Sequence, residues 1–204
     1  MRSGAGVGHL VGAVAFGIGF VFVVIGRSEL FTENFLVPIT GLTRDAGSWL
    51  KLGELWTAAL VLNIAGGIVI ALLLTSHGVL RGGTADALVH VADHLAGYSP
   101  GAAFLSAITA GALMTLMTWF VEGAADSAGV RIVMAWLVGA LIALGSFNHA
   151  IVSTIELIFG MRYGADIGID QLFSNLGLSV AGNLVGGLLL VTFARSAQAV
   201  GASR

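Results

Sequence analysis

The sequence predicts an all-α integral membrane protein, an inverted-repeat helical bundle with two broken helices. Three observations predict it. The 204 residues are 57% hydrophobic and 10% charged, with a mean hydropathy of +0.97, far outside the range of a soluble domain. Apolar residues gather in runs near the roughly 20 that a helical span needs, so helices and not a barrel are expected. Two of the runs end in polar clusters that recur at a fixed distance along the chain.

The first span, 7–27, runs into "GRSELFTENF", which sets Arg27, Glu29 and Glu33 where a membrane-crossing segment should continue. The second, 55–76, carries Asn63-Ile-Ala-Gly66-Gly67 inside an apolar helix. Residues 77–98 form a polar connector. Within it "TADALVHVADHLAG" aligns Asp86, His90 and His94 at i, i+4 and i+8, a spacing that could hold a metal. The polar face of an interfacial helix accounts for the same pattern, and no metal or cofactor is assigned. The third span is 101–121. The fourth, 131–147, ends in a second polar cluster, Gly145 to Ser153, and the fifth, 171–194, contains Asn183-Leu-Val-Gly186-Gly187 before a tail at 197–204.

The repeat organises these pieces. Gly26 to Asn34 lies 119 positions before Gly145 to Ser153, and the Asn-Gly-Gly pattern recurs at 120. The same offset asks for a partner of span 101–121 ending near Met1, and the chain has none. Five spans of an expected six then make a three-plus-three arrangement within one transmembrane channel domain, 1–204. Residues 1–76 form an incomplete first repeat and 99–196 the second. An odd number of spans between the breaks inverts the halves, the architecture of channels and transporters with a site near the bilayer midplane. A late start, by truncation or a misassigned start codon, explains the absent partner; a true five-span chain is the alternative. The opening "MRSGAGVGHL" lacks a signal-peptide core and reads as mature chain.

Composition excludes several classes. Without cysteine there is no disulfide framework, thiol chemistry or Cys-ligated zinc. A net charge of -2 without a basic tract argues against nucleic acid. The glycines lie in apolar helices and not in strand-turn-helix settings, so phosphate loops and nucleophile elbows are not seen, and no enzyme is expected. Thirty glycines favour close helix packing in lipid.

Ionisable groups and irregular backbone at membrane depth face protein or a water-filled path. Both breaks should therefore line one pathway, and half-helices starting there would turn their positive dipole ends towards an anion. Arg27, Glu29 and Glu33, with Asn34, read as a salt-bridged set that braces the first break. Asn63 and Asn183 read as packing and loop-bracing residues.

These residues resemble the formate/nitrite transporter family. "ELFTEN" at Glu29 to Asn34 is similar to that family's first break, and "FNHAIVS" at Phe147 to Ser153 to its second, with the central histidine. "LNIAGG" and "VAGNLVGG" resemble its Asn and Gly signatures, and "SELFTEN" is most like a divergent branch. The resemblance implies an aquaporin-like fold, a homopentamer in a bacterial inner membrane, and a proton-linked path for small monovalent anions such as formate or nitrite. It places Thr32 and His149 at the pore centre, with Leu30, Phe31 and Asn148 beside them. Phe16, Phe20 and Ile142 match its hydrophobic constrictions.

The chain also departs from the family pattern. Asn148 replaces the glutamate before the histidine, Ser153 stands in place of an asparagine, Thr115 takes the polar position of the family's fourth span, and a lysine near that span's start has no counterpart. For Thr32 the plainer role is a turn hydroxyl bonding its own backbone; for Phe16 and Phe20 it is ordinary packing. A channel for a small neutral solute and a non-transporting membrane paralogue remain as rivals. The paired Asn-Pro-Ala loops of water channels are absent, since the two prolines are Pro38 and Pro100.

Overall fold

A computed structural model describes residues 2–40 and 46–202; the end of the expected tail, 203–204, lies outside the described residues. In chain order the elements are α1 (Arg2–Ile25), a 3-10 turn (Phe31–Phe35), α2 (Val37–Thr40), α3 (Ala46–Leu74) and α4 (Thr84–Ala96). There follow α5 (Pro100–Gly123), α6 (Ala128–Leu144), α7 (Ala150–Arg162), α8 (Ile169–Leu184), a π-helical stretch (Val185–Phe193) and α9 (Ala194–Ala202). The fold is the expected all-α, aquaporin-like bundle.

Among the described residues four helical segments are long and apolar enough to cross a membrane: Gly6–Ile25, Gly47–Leu74, Pro100–Gly123 and Ile169–Gln198, with Ala128–Leu144 shorter. The expected spans lie on these helices. The second starts well before residue 55, because Lys51 and Glu54 are good helix formers and leave α3 unbroken. Local chemistry sets the other starts. Ser99 caps α5 by accepting the Ala102 N–H, with Pro100 at the first helical position, and Ser127 accepts the Val130 N–H at the head of α6.

Packing follows the small residues. Along α1 and α6 the chains come close at Gly17 and Gly139, and the Trp136 indole N–H donates to the Val14 carbonyl at 2.8 Å. α5 and α8 touch through backbone: a Cβ at Gly186 would overlap the Ile108 carbonyl, and one at Gly111 the Asn183 main chain. Just there α8 widens into its π-helical stretch, and Thr192 donates from it to the Phe35 carbonyl at 2.7 Å. Amphipathic α4 lies on α7, with Ala92 against Gly160 and Leu95 against Leu157. His94 is bonded to the Tyr98 hydroxyl at 3.2 Å, and Tyr98 donates to the Ser146 carbonyl at 3.0 Å, so α4 reaches the second break.

Candidate functional site

The two breaks share one backbone construction. At the end of α1 the Gly26 N–H bonds the Phe22 carbonyl and the Ser28 N–H bonds Val23; at the end of α6 Gly145 bonds Leu141 and Phe147 bonds Ile142. Between them Arg27 has φ 51° and Ser146 φ 48°, the two non-glycine residues with positive φ among those described, and they are repeat mates. The next pair matches as well: Leu30 has φ -109°, ψ 134° and His149 has φ -108°, ψ 127°. Both cap the helical turn that follows.

An asparagine amide then clamps each break. Asn63 accepts the Phe31 N–H and donates to the Glu29 carbonyl, both at 2.9 Å. Asn183 accepts the Ala150 N–H at 2.9 Å and donates to the Asn148 carbonyl at 3.2 Å and the Ala107 carbonyl at 2.8 Å. Phe31 pairs with Ala150 and Glu29 with Asn148 in the repeat, so one amide does the same task twice. Freed backbone groups at membrane depth need such partners.

The clamps, and not ion pairs, brace the first break. The expected salt-bridged set of Arg27, Glu29 and Glu33 does not form: among the described residues Arg27 is exposed and pairs with neither carboxylate. Glu29 instead accepts the Asn34 side-chain amide at 3.1 Å, and Trp56 donates to the Asn34 carbonyl at 2.9 Å. The reason lies in the turn, where a left-handed residue at the helix end sends its long side chain to solvent, and hydrated charges gain little by pairing.

At the centre the breaks meet. Thr32 and His149 are both fully buried, and Thr32 Oγ1 lies 2.7 Å from His149 Nε2 across 117 positions of sequence. The tautomer follows from the helix cap. His149 Nδ1 accepts the Val152 N–H at 3.2 Å, so that nitrogen carries no proton, the ring is neutral, and Nε2–H donates to Thr32. Ser153 Oγ accepts the His149 backbone N–H at 3.0 Å. Of the two ring nitrogens, Nδ1 is thus held by its own half-helix and Nε2 by Thr32 across the breaks. That bond leaves the Thr32 hydroxyl proton with no acceptor among the described residues.

An apolar cluster packs beside this contact. Phe20 stands edge-on to His149 with centroids 6.4 Å apart and meets Phe16 at 5.7 Å. Phe20 and Ile142 are buried in one cluster with Val24, Met114, Met117 and Val121, and Phe16 and Leu30 pack against it. Phe31 goes elsewhere, into a second cluster with Phe35, Ala59 and Ile151 behind the break. Asn148 turns away towards α5, donating its side chain to the Ala103 carbonyl at 3.4 Å and its main-chain N–H to Ser106 Oγ at 3.0 Å; its Oδ1 is buried without a partner. Thr115, also buried, bonds the Gly111 carbonyl of its own helix at 3.0 Å. Ser106 and Trp56 escaped sequence reasoning because neither lies in a repeated pattern.

Beside this geometry, the model of the formate/nitrite transporter family matches residues 1–197. The chain belongs to that family. It is 27% identical over 191 residues to the inner membrane protein YfdC of Escherichia coli, covering 91% of this chain and 59% of that one. It is 26% identical over 188 residues to the formate channel BtFdhC of Bacillus thuringiensis, covering 91% and 71%. Among solved structures, a pentameric formate channel with formate bound superposes with a TM-score of 0.79 at 23% identity, over 96% of this chain and 84% of that one. This member of the formate/nitrite transporter family is an integral membrane protein, and it spans 59% of the length of the E. coli relative. Of its departures from the family pattern, Ser153 holds the His149 main-chain N–H at the second break, and the Asn148 side chain reaches the Ala103 carbonyl of α5.

Proposed function

We propose that the protein is a proton-linked pore for small monovalent anions, formate and nitrite being the type, one pore to each protomer of a homopentamer in a bacterial inner membrane. The observation that carries this reading is the buried Thr32–His149 contact, where the two breaks converge behind an apolar plug. It rests also on the relatives, among them a formate channel.

The chemistry follows from desolvation. A hydrated anion is stopped by Phe20, Ile142 and their neighbours, whereas a neutral acid passes a plug of that kind. A carboxylate with a pKa near 4 in water takes up a proton far more readily once its hydration is stripped, because low dielectric penalises the charged form. The neutral ring of His149 is a poor proton source, since giving up Nε2–H would leave an imidazolate. In this reading the proton comes with the anion from solution, and His149 polarises Thr32, whose free hydroxyl proton donates to the passing oxygen.

The test is uptake of formate and nitrite into proteoliposomes, with and without a pH gradient, for the wild type, His149→Ala and Thr32→Val. Uptake should follow the gradient and fall at least tenfold in both variants. Flux of neutral solutes alone, or anion flux indifferent to His149, would overturn the reading.

A further inference from the structure

On the α2 side of the Thr32–His149 contact lies a cavity of about 580 Å³, bounded by the ends of α1 and α5, the first break, α2, α3 and the first turn of α6. Its lining includes Val24 and Val121, members of the apolar cluster that also holds Phe20 and Ile142. Polar and apolar walls therefore meet inside it, and there an anion moving inward must give up either its hydration or its charge.

Three carboxylates line this cavity, and they differ. Glu29 and Glu122 are exposed, and Glu29 already accepts the Asn34 amide at 3.1 Å. Glu33 is half-buried. It stands in the 3-10 turn directly after Thr32, so that one residue meets the histidine and the next lines the cavity. The charges that share the cavity with it are Arg27 and Glu29 from its own loop, Glu122 from the end of α5 and Arg131 from the first turn of α6, while α2 and α3 bring Val37, Pro38 and Leu55. Among the described residues neither arginine pairs with Glu33. A carboxylate part-shielded from water, with no cation to hold its charge, takes up a proton more readily than one in water.

We propose that Glu33 is the proton-exchange residue of this mouth, taking a proton from cavity water and passing it to the anion about to enter the apolar cluster. This role rests on the anion-pore reading above and gives its proton a carrier. His149 cannot fill it, because Nδ1 is an acceptor and Nε2–H is spent on Thr32. In the step the O–H bond of the Glu33 carboxyl breaks as an O–H bond forms on a formate or nitrite oxygen, leaving glutamate and the neutral acid. Hydronium in the cavity then returns a proton to the glutamate and becomes water. Carboxyl-to-carboxylate transfer joins groups of like basicity, so it needs little driving force. Until it is reprotonated the glutamate repels the next anion, which ties one proton to each anion carried.

The test is formate uptake by the full chain in proteoliposomes across a range of external pH, with the leak of protein-free vesicles subtracted. A proton taken straight from solution makes uptake follow proton concentration throughout, whereas a proton-binding residue makes it level off once that residue is filled. Wild type should level off, and Glu33→Gln should lie about tenfold lower at neutral pH, a small share of what a positioned proton donor gives, with no levelling. Glu33→Asp should restore the levelling at a lower rate, and Glu122→Gln should keep it. Levelling in Glu33→Gln like that of wild type overturns the proposal, and so does its loss in Glu122→Gln, which would assign the effect to the charge of the mouth as a whole. Infrared titration of the solubilised protein separates site from transport, through the part of the protonated-carboxyl band that disappears in Glu33→Gln. That part present without any flux would sink the transport reading and keep the site; flux without it would sink the site alone.

Discussion

Replacing Asn183 by leucine removes an amide of similar volume from the second clamp. Asn183 is fully buried and makes three bonds between 2.8 and 3.2 Å, so leucine orphans the Ala150 N–H and the Asn148 carbonyl and strips the α5 carbonyl of Ala107 of its second bond. Polar contacts between membrane helices average about 0.6 kcal/mol and reach about 1.7, giving a loss of about 2 kcal/mol with a ceiling near 5. Asn63→Leu is the internal control, since Asn63 is only half-buried and makes two bonds, for about 1 kcal/mol. In a chain of this length each kcal/mol moves the unfolding midpoint by about 2–4 °C, so about 6 °C separates Asn183→Leu from wild type and about 3 °C separates Asn63→Leu. Heating the detergent-solubilised protein and measuring the fraction that still elutes in the native peak reads both values. Equal shifts for the two variants would refute the reasoning, because then the number of buried bonds does not set the cost.

Further outcomes follow from other features. Arg27→Gly and Ser146→Gly should each raise the same midpoint by a degree or two, because the left-handed strain of about 1–2 kcal/mol outweighs the extra chain entropy of glycine; a drop in both would mean the positive φ is not strained. Gly186→Ala should prevent recovery of folded protein, its Cβ meeting the Ile108 carbonyl, while its repeat mate Gly66, with open space at that point, should accept alanine. Equal damage would show that α3 has a neighbour beyond the described residues. Phe20→Ala should let chloride leak through proteoliposomes that the wild type keeps tight, since it removes the ring facing His149; a tight variant would place the seal elsewhere.

The architecture was legible because its causes are local and periodic. Apolar runs of helical length gave the spans, and the offset of 119 to 120 gave the repeat, which the structure reproduces down to paired backbone angles at Leu30 and His149. Thr32 and His149 were singled out through the family resemblance of the breaks they sit in, and the structure brings the two together. Orientation was less readable. Phe31 and Thr32 are adjacent, yet one faces the packing behind the break and the other the histidine, a choice made by the 3-10 turn. Charge suggested ion pairing for Arg27, Glu29 and Glu33, but amides hold the loop, since a sequence shows which charges are near in number and not which are hydrated.

The shared backbone of the two breaks carries unlike side chains at its central pair: leucine at position 30 and histidine at position 149. In the anion-pore proposal a symmetric frame therefore holds an asymmetric filter. A solute arriving past Leu30 would meet hydrocarbon before a hydrogen-bond donor, and one arriving from the other side would meet them in reverse. At equal concentrations the net current must vanish whatever the filter. Away from balance the two faces would load at different occupancies, so inward and outward transport would saturate at different concentrations, and rectification would arise with no moving gate.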